Sequence, residues 1–456
     1  MPKTSYATPV QTKGALRKHA IAIALLGACG MASAMDLLQV YEAARQNDPN
    51  ILAARAAADI GRERLPQALA QQLPNVSFSA QYGKNQLAST SPNFLGVDQT
   101  INTEYPSTSQ TLTIRQPIYR SYLFAQTRQA QAQFEDAEAT LAQEEQNLLA
   151  RVTGNYLEAL LSQEQLELVL AQRAANTTQL DIARKAFAAG AGTRTDIDEA
   201  QARLDSTLAL EIEARQNMSY TLRQLEQLTG SPAGVLARLN LANFTLADPQ
   251  PADLDTWIAR AERSSPQLRS LQAQLETARQ EVDKASSGHE PTLDATLQWT
   301  SSASENVYNI RNSYTNASVG VQLTIPIYGG GYTSSQVRQA LAQQERASQA
   351  LEAGRRDLGM RVFRELRGVT ENIPKVRALE KALSSAEQLI VSNRKSFQAG
   401  TRTVIDILNA EQQRFLVLRD LAQARYVYLS ARIRLLSLVG EADLGALTAI
   451  NQMFGP

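Results

Sequence analysis

Apolar residues recur every three or four positions through long stretches of this chain, which is the spacing of packed helices. From about 120 to 187 the sequence lacks proline and is rich in Ala, Gln and Glu, so at 1.5 Å per residue it predicts one helix of about 100 Å. The seam positions here and in the counterpart stretch are Leu149, Val152, Tyr156, Ala159, Leu166 and Leu170, and Val362, Leu366, Val369, Ile373 and Val376. This pattern predicts coiled-coil packing.

Each of these long helices is expected to end at a glycine, after which the chain reverses direction and forms a second helix. Gly190 and Gly400 suit the left-handed residue that closes a helix. The threonines that can cap the returning helices are Thr193 or Thr195 and Thr401 or Thr403, and those helices run to Gly230 and Gly440. The sequence therefore predicts two antiparallel helical hairpins with tight tips. Pro374, inside the second hairpin, predicts a kink.

Between the first two helices of each half, the apolar period changes to strict alternation. The alternating sets are Val76, Phe78, Ala80 and Tyr82; Leu112, Ile114 and Ile118; Leu293, Ala295, Leu297 and Trp299; and Ala317, Val319, Val321, Leu323 and Ile325. We expect four strands per chain, joined by exposed polar loops from Lys84 to Thr108 and from Ser301 to Tyr314. About ten alternating residues are typical of a tilted membrane strand, although a half-buried soluble hairpin alternates in the same way.

The two halves of the chain carry the same pattern. Pro74 and Pro291 match at an offset of 217, and Phe187, Gly190 and Asp196 match Phe397, Gly400 and Asp406 at an offset of 210. An offset that stays constant over about a hundred residues is typical of paired helices and not of loops. We therefore divide the chain into a signal peptide at 1–34, a first structural repeat at 35–245 and a second at 246–456.

The first 34 residues have the parts of a secretory signal. These are the basic residues Lys13, Arg17 and Lys18, a short apolar core over 20–30, and the small residues Ala32, Ser33 and Ala34. An alternative is lipoprotein processing at Cys29. Export favours the membrane interpretation of the strands. Because open strand edges in lipid leave backbone groups unpaired, four strands cannot close a barrel alone and several chains are required.

Composition limits the chemistry of this protein. Two His and one Cys cannot form a zinc cluster, and the sequence shows no nucleophile elbow, phosphate loop or cluster of metal ligands. We therefore expect no enzyme activity and no cofactor. Without residues 1–34 the chain has 41 basic and 45 acidic residues, a net charge of −4, which does not favour nucleic acid as a partner.

Several segments of the sequence resemble the TolC family of outer-membrane exit ducts. They are Pro74 with Pro291, Pro117-Ile118-Tyr119 with Pro326-Ile327-Tyr328, residues 288–294 and the tip at 399–408, and the resemblance covers nearly all of residues 36–450. It implies a mainly α protein with a membrane β part. Three protomers, with four strands each, would form a β-barrel in the outer membrane and a long coiled-coil α-helical barrel across the periplasm. The implied partners are outer-membrane lipid, a periplasmic adaptor and an inner-membrane transporter.

The resemblance also implies an entrance gate at the hairpin tips. The gate residues it implies are Asp196, Thr195, Arg402, Asp406, Asn409 and Phe397, and the adaptor-contacting residues are Gly190, Thr193, Gly400 and Thr401. Arg402 takes the position of a latch arginine with Asp196 as its partner, and Asp406 that of an acidic ring that binds blocking cations. Phe397 replaces the family's Tyr and Asn409 replaces a second Asp, so we expect a weaker latch and a less charged ring.

A passive exit duct is therefore the leading interpretation of the sequence. The alternative is a periplasmic structural coiled coil without a pore. Cargo in such systems is chosen mainly by the transporter, so the sequence leaves drug efflux and type I protein secretion open.

Overall fold

The computed structural model describes residues 35–305 and 311–455, and the predicted signal segment with Cys29 lies outside them. The helices are α1 (Leu37–Asn47), α2 (Pro49–Ala70), α3 (Ser121–Ala188), α4 (Arg194–Thr229), α5 (Leu254–Ser264), α6 (Pro266–Ser286), α7 (Tyr332–Gln398), α8 (Val404–Leu438) and α9 (Leu444–Asn451). The strands are β1 (Asn75–Pro92), β2 (Asp98–Tyr119), β3 (Arg238–Leu239), β4 (Thr292–Glu305), β5 (Arg311–Thr324) and β6 (Phe454–Gly455). The order helix, helix, strand, strand, helix, helix occurs twice, as the internal repeat predicts.

The long helices form a single layer. α3 runs for 68 residues, or about 100 Å, and packs on α2 near the sheet and on α4 near the hairpin tip. α7 packs on α6 and α8 in the same way, and both of these also pack on α3. The order across the layer is therefore α4, α3, α8, α7 at the tip end and α2, α3, α6, α7 at the sheet end. Its open edges are α2 and α4 on one side and α7 on the other.

Most of the predicted seam lies in the main apolar core, and Val376 lies in a separate small cluster with Leu421 and Ala424. Leu149, Val152, Tyr156 and Ala159 are at most 2% exposed, and the five seam positions of α7 are also buried. Leu166 and Leu170 are only partly buried, because Val169 takes the inward position in that turn. The hydroxyl of Tyr156 lies 3.1 Å from the carbonyl oxygens of both Met35 and Ala237. This core therefore joins α3 to the segments before α1 and after α4.

Pro374 does not end the helix that contains it: α7 continues beyond this proline to Gln398. Within residues 35–305 and 311–455, no helix is both long and apolar enough to cross a membrane.

The strands form an antiparallel sheet in the order β1, β2, β4, β5, and they are longer than the sequence predicts. β1 continues to Pro92 and β2 begins at Asp98, so most of the predicted loop from Lys84 to Thr108 is paired strand. Likewise, residues 301–305 extend β4 and residues 311–314 begin β5. The loop prediction was wrong because ladder pairing uses backbone groups, which Ser- and Thr-rich segments supply as well as apolar ones do, and Thr itself favours strands.

Candidate functional site

One face of the sheet is apolar and exposed. The pairing register places Val76, Ile114, Leu297 and Val319 in one row and Phe78, Leu112, Trp299 and Ala317 in the next. Phe78 is 63% exposed and Val319 is 80% exposed. The opposite face carries polar rows, Ser77, Thr113, Gln298 and Ser318 followed by Ser79, Thr111, Thr300 and Asn316. A soluble hairpin would bury its apolar face, whereas this arrangement is that of strands between lipid and a wet lumen.

The sheet has two open edges at the same sides as the helix layer. β1 is one outer strand and follows α2, while β5 is the other outer strand and precedes α7. Both the sheet and the helix layer of one chain are therefore open at the α2 side and at the α7 side. Apolar side chains also lie exposed along both edges, among them Ile60 and Ile212 on one side and Met360 on the other.

A buried carboxylate fixes the sheet to the helix layer. Asp294 on β4 is 5% exposed and accepts hydrogen bonds from Arg115 on β2 and from Arg120 at the start of α3, at 2.8 Å for Arg115 Nη2 and 2.8 Å for Arg120 Nε. The sequence analysis did not predict this cluster, because Asp294 lies more than 170 residues along the chain from both arginines and no local spacing connects them. Two arginines share one carboxylate, so the cluster leaves a net positive charge at the base of the sheet.

Both hairpin tips close with the same turn. After α3, Gly190 adopts a φ of +76° and the N–H of Ala191 donates to the carbonyl of Ala186. After α7, Gly400 adopts a φ of +74° and the N–H of Thr401 donates to the carbonyl of Ser396. These left-handed glycines are the predicted helix terminators, and a side chain at either one would meet open space.

Thr193 and Thr403 are the N-caps of the returning helices, so of the predicted alternatives Thr195 and Thr401 are not the caps. Each capping threonine hydroxyl accepts from the N–H of an aspartate three residues later, Asp196 or Asp406. The carboxylate of that aspartate accepts from the threonine N–H in return. This reciprocal capping box fixes both acidic side chains at the outermost turn of their helices.

The predicted gate residues lie at or near the hairpin tips, and the hydrogen bonds of Arg402 and Asp196 are made within their own helix ends. Arg402 Nη1 donates to Asp406 Oδ1 at 3.1 Å within its own helix, and the Asp196 carboxylate accepts from the N–H and hydroxyl of Thr193 at 2.8 and 2.7 Å. An Arg402–Asp196 bond is not among the contacts of the described residues. Thr195 is exposed, and Phe397 is 37% exposed.

A bond that the sequence did not predict joins the two tips. Arg203 on α4 donates from Nη2 to Asn409 Oδ1 on α8 at 2.7 Å, and to its own helix neighbour Glu199 at 3.1 Å. Asn409 was expected at the gate only as a replacement for an acidic residue. Its partner carries no signal in the sequence, because Arg203 lies 206 residues away and reads as one of many surface arginines.

The local contacts of Asp406, the predicted acidic-ring residue, favour the ionised form of its carboxylate. The pKa of Asp406 lies below its ordinary value, chiefly because its carboxylate accepts bonds from the backbone and hydroxyl of Thr403, and further because of Arg402. A hydrogen-bonded and ion-paired carboxylate keeps its charge at lower pH than a free one. Asp406 therefore provides a permanent negative charge at the tip at neutral and mildly acidic pH.

Known proteins match this architecture. The family model described as outer membrane efflux protein matches residues 40–231 and 257–441. The alkaline protease secretion protein AprF of Pseudomonas aeruginosa is 34% identical over 430 residues, which are 93% of this chain and 89% of AprF. The outer membrane protein TolC of Escherichia coli is 30% identical over 444 residues, which are 94% of this chain and 87% of TolC.

A solved structure shows the same fold. The CmeC outer membrane channel of Campylobacter jejuni superposes with a TM-score of 0.77 at 16% sequence identity, over 91% of this chain and 89% of CmeC. The family model and the full-length similarity to AprF and TolC agree with the exposed apolar sheet face and the paired hairpins. The chain therefore belongs to the outer membrane efflux protein family.

Proposed function

We propose that three copies of this chain form a channel through which cargo leaves the periplasm across the outer membrane. The observation that carries this proposal is the exposed apolar face that runs across all four strands of the sheet, from Val76 on β1 to Val319 on β5. Such a face is stable only against lipid or another protein. As a family member the chain lies in the outer membrane, and its long helices extend into the periplasm.

The matching open edges support ring closure. If β1 of one copy pairs with β5 of the next, the α2 and α4 edge meets the α7 edge of the same neighbour, and every backbone edge in lipid gains a partner. Such head-to-tail contacts close into a ring when the rotation permits. Four strands from each of three chains give a barrel wide enough for a lumen, whereas four strands alone do not.

The proposed partners are a periplasmic adaptor and an inner-membrane transporter that meet the hairpin tips. Gly190, Thr193, Gly400 and Thr401 are all exposed there, which suits them to contact with another backbone.

We propose a secreted protein as the cargo, because AprF, a protein secretion factor by its name, is similar over nearly the whole chain. Drug efflux is the second candidate, since the matching family is described by efflux.

Assembly and conduction test this proposal directly. Purified protein in detergent is expected to have the mass of three chains and to conduct ions in planar bilayers, because the lumen exists only in the ring. The alternative, a periplasmic coiled coil without a pore, predicts a species that stays out of the outer membrane. A stable monomer that does not conduct would contradict the channel and support that alternative.

We also propose that three copies of Asp406 form a cation-binding ring at the periplasmic entrance. Because the pKa of Asp406 is lowered by Thr403 and Arg402, we expect trivalent cations added at the periplasmic side to block the channel at neutral and mildly acidic pH alike. Asp406→Ala is expected to weaken this block by at least about tenfold, since like charges gathered on one axis act together. Asp205→Ala, an exposed aspartate on α4 outside the outermost turn, is the control. Equal block of both variants would contradict the ring.

A further inference from the structure

The polar face of the sheet carries very little charge. Ser, Thr, Asn and Gln occupy most of its positions on β1, β2, β4 and β5. Within the described parts of these strands, only Arg115 and Asp294 are charged on this face. Both lie at the base of the sheet, where the strands meet the helices. Any electrostatic preference of the polar face therefore arises at this base.

An extra residue in β2 brings a second arginine to the same face. The pairing of β2 with β4 shifts register between Pro117 and Tyr119, so Ile118 is the extra residue. Successive side chains of a strand point to opposite faces, and an inserted residue reverses this alternation beyond it. Arg120, which directly follows β2, therefore returns to the face of Arg115, although the two arginines are an odd number of positions apart.

The two arginines contact Asp294 differently. Arg120 binds both carboxylate oxygens, from Nε to Oδ1 at 2.8 Å and from Nη2 to Oδ2 at 2.5 Å. Arg115 donates from Nη2 to Oδ2 at 2.8 Å, and its side chain is 54% exposed, against 30% for Arg120. A bidentate pair fixes both of its members in position. Arg120 therefore anchors and neutralises the carboxylate, and Arg115 presents an uncompensated positive charge to solvent.

Nearby carboxylates do not cancel this charge. Glu290 accepts from the hydroxyl of Tyr119 at 3.1 Å, on the side of the sheet that carries Leu293 and the other apolar residues. On α6, the carboxylates of Glu281 and Asp283 are each paired with a basic side chain. The base of the polar face is therefore positive.

We propose that Arg115 from each of three chains forms a ring that binds multivalent anions at the periplasmic end of the barrel lumen. The inference rests on the proposed channel, in which the polar face of the sheet lines the lumen. Arginine suits such a ring because its guanidinium stays charged and offers paired donors to phosphate and carboxylate oxygens. The ring is opposite in sign to Asp406 at the tips, so the two ends of the duct favour ions of opposite charge.

Block by tripolyphosphate, added at the extracellular side of trimers in planar bilayers, tests the inference. We expect the parent to be blocked and Arg115→Gln to require at least about tenfold more tripolyphosphate for half-block, because the attraction between the ring and an anion grows with the charge of each. Arg120 still holds Asp294 in this variant. The parental block is expected to weaken as salt rises from about 0.1 to 1 M, since the screening length falls from about 10 to 3 Å.

Thr113→Lys is a second variant that leaves the ion pairs of Asp294 in place. Thr113 lies on the polar face, in the row next to that of Arg115. A lysine there adds a positive charge to the same part of the lumen. We therefore expect half-block at a tripolyphosphate concentration several-fold lower than for the parent.

Lys84→Gln is the matched control. Lys84 lies on the opposite face of β1, beyond the apolar rows, where its side chain is 72% exposed and pairs with Glu104 at 2.7 Å. Its removal changes the charge of the sheet by the same amount as Arg115→Gln, but not on the polar face. Parental block is expected.

The outcomes separate the ring from the channel beneath it. A parent trimer that does not conduct contradicts the channel itself. A conducting parent that tripolyphosphate does not block, or blocks equally in Arg115→Gln, overturns the ring and leaves the channel intact. An equal loss of block in Lys84→Gln overturns the assignment to Arg115, because overall charge then acts. If Arg115→Gln does not assemble, Thr113→Lys decides: stronger block supports the ring, and unchanged block overturns it.

Discussion

Val319→Lys is expected to prevent assembly of the protein in the outer membrane, whereas Ser318→Lys is expected to permit it. Val319 is 80% exposed and pairs with Leu297 in the apolar row of the sheet. A lysine on the lipid side of a membrane strand costs about 2–4 kcal/mol near the middle of the bilayer, and a trimer would bear this cost three times. Ser318 pairs with Gln298 on the polar face, where a charged side chain can remain in water.

The amount of heat-sensitive trimer in outer-membrane fractions measures this difference. We expect little or no trimer for Val319→Lys and near-parental amounts for Ser318→Lys. Because the two positions are neighbours on one strand, their backbone pairing is the same and only the face differs. Equal assembly of both variants would show that the apolar row does not face lipid.

Replacing either tip glycine with leucine is expected to abolish export while trimers still form. Gly190 and Gly400 have φ values of +76° and +74°, and a side chain there would project into open space. A leucine at a left-handed position costs about 1–2 kcal/mol, which a long packed hairpin tolerates. The same side chain would hold an adaptor backbone away from the tip, so the loss of export should be far larger than the loss of stability.

Gly330→Leu is the control for this experiment. Gly330 also has a positive φ, +62°, with no atom near its added side chain, but it lies at the start of α7 next to the sheet. The backbone strain is therefore similar and the position differs. Export is measured as secreted cargo or drug resistance in cells, with trimer quantified in parallel. Normal export by both tip variants would place the adaptor contact elsewhere.

Local spacing predicted most of the architecture. The three- and four-residue apolar period gave α3 and α7, because a helix buries one stripe whatever its distant partners are. Alternation identified the four sheet strands, and the glycines at 190 and 400 located both turns. These features depend on residues within a few positions of one another, so one sequence is enough to find them. Both copies of the repeat predicted the same order of helices, strands and glycine turns, which also supports the family resemblance.

The length of the strands was predicted less well. Residues between Lys84 and Thr108 show little apolar alternation, yet their backbones pair from Gly83 with Ser107 to Pro92 with Asp98. Pairing depends on the neighbouring strand and not on side-chain polarity, so composition alone suggested loops. The choice between Thr193 and Thr195 was likewise open until the backbone showed which hydroxyl faces the free N–H groups.

The sequence by itself determined the elements, their order and the family, and only the tertiary structure decided which charged groups meet. Asp294 binds Arg115 and Arg120 across more than 170 residues, and Arg203 reaches Asn409 across 206. Arg402, for which the resemblance implies Asp196 as a partner, donates to Asp406 of its own helix. Side-chain hydrogen bonds require specific distances and angles between atoms. Those depend on how two helices or strands are placed in space, which no local spacing along the chain specifies.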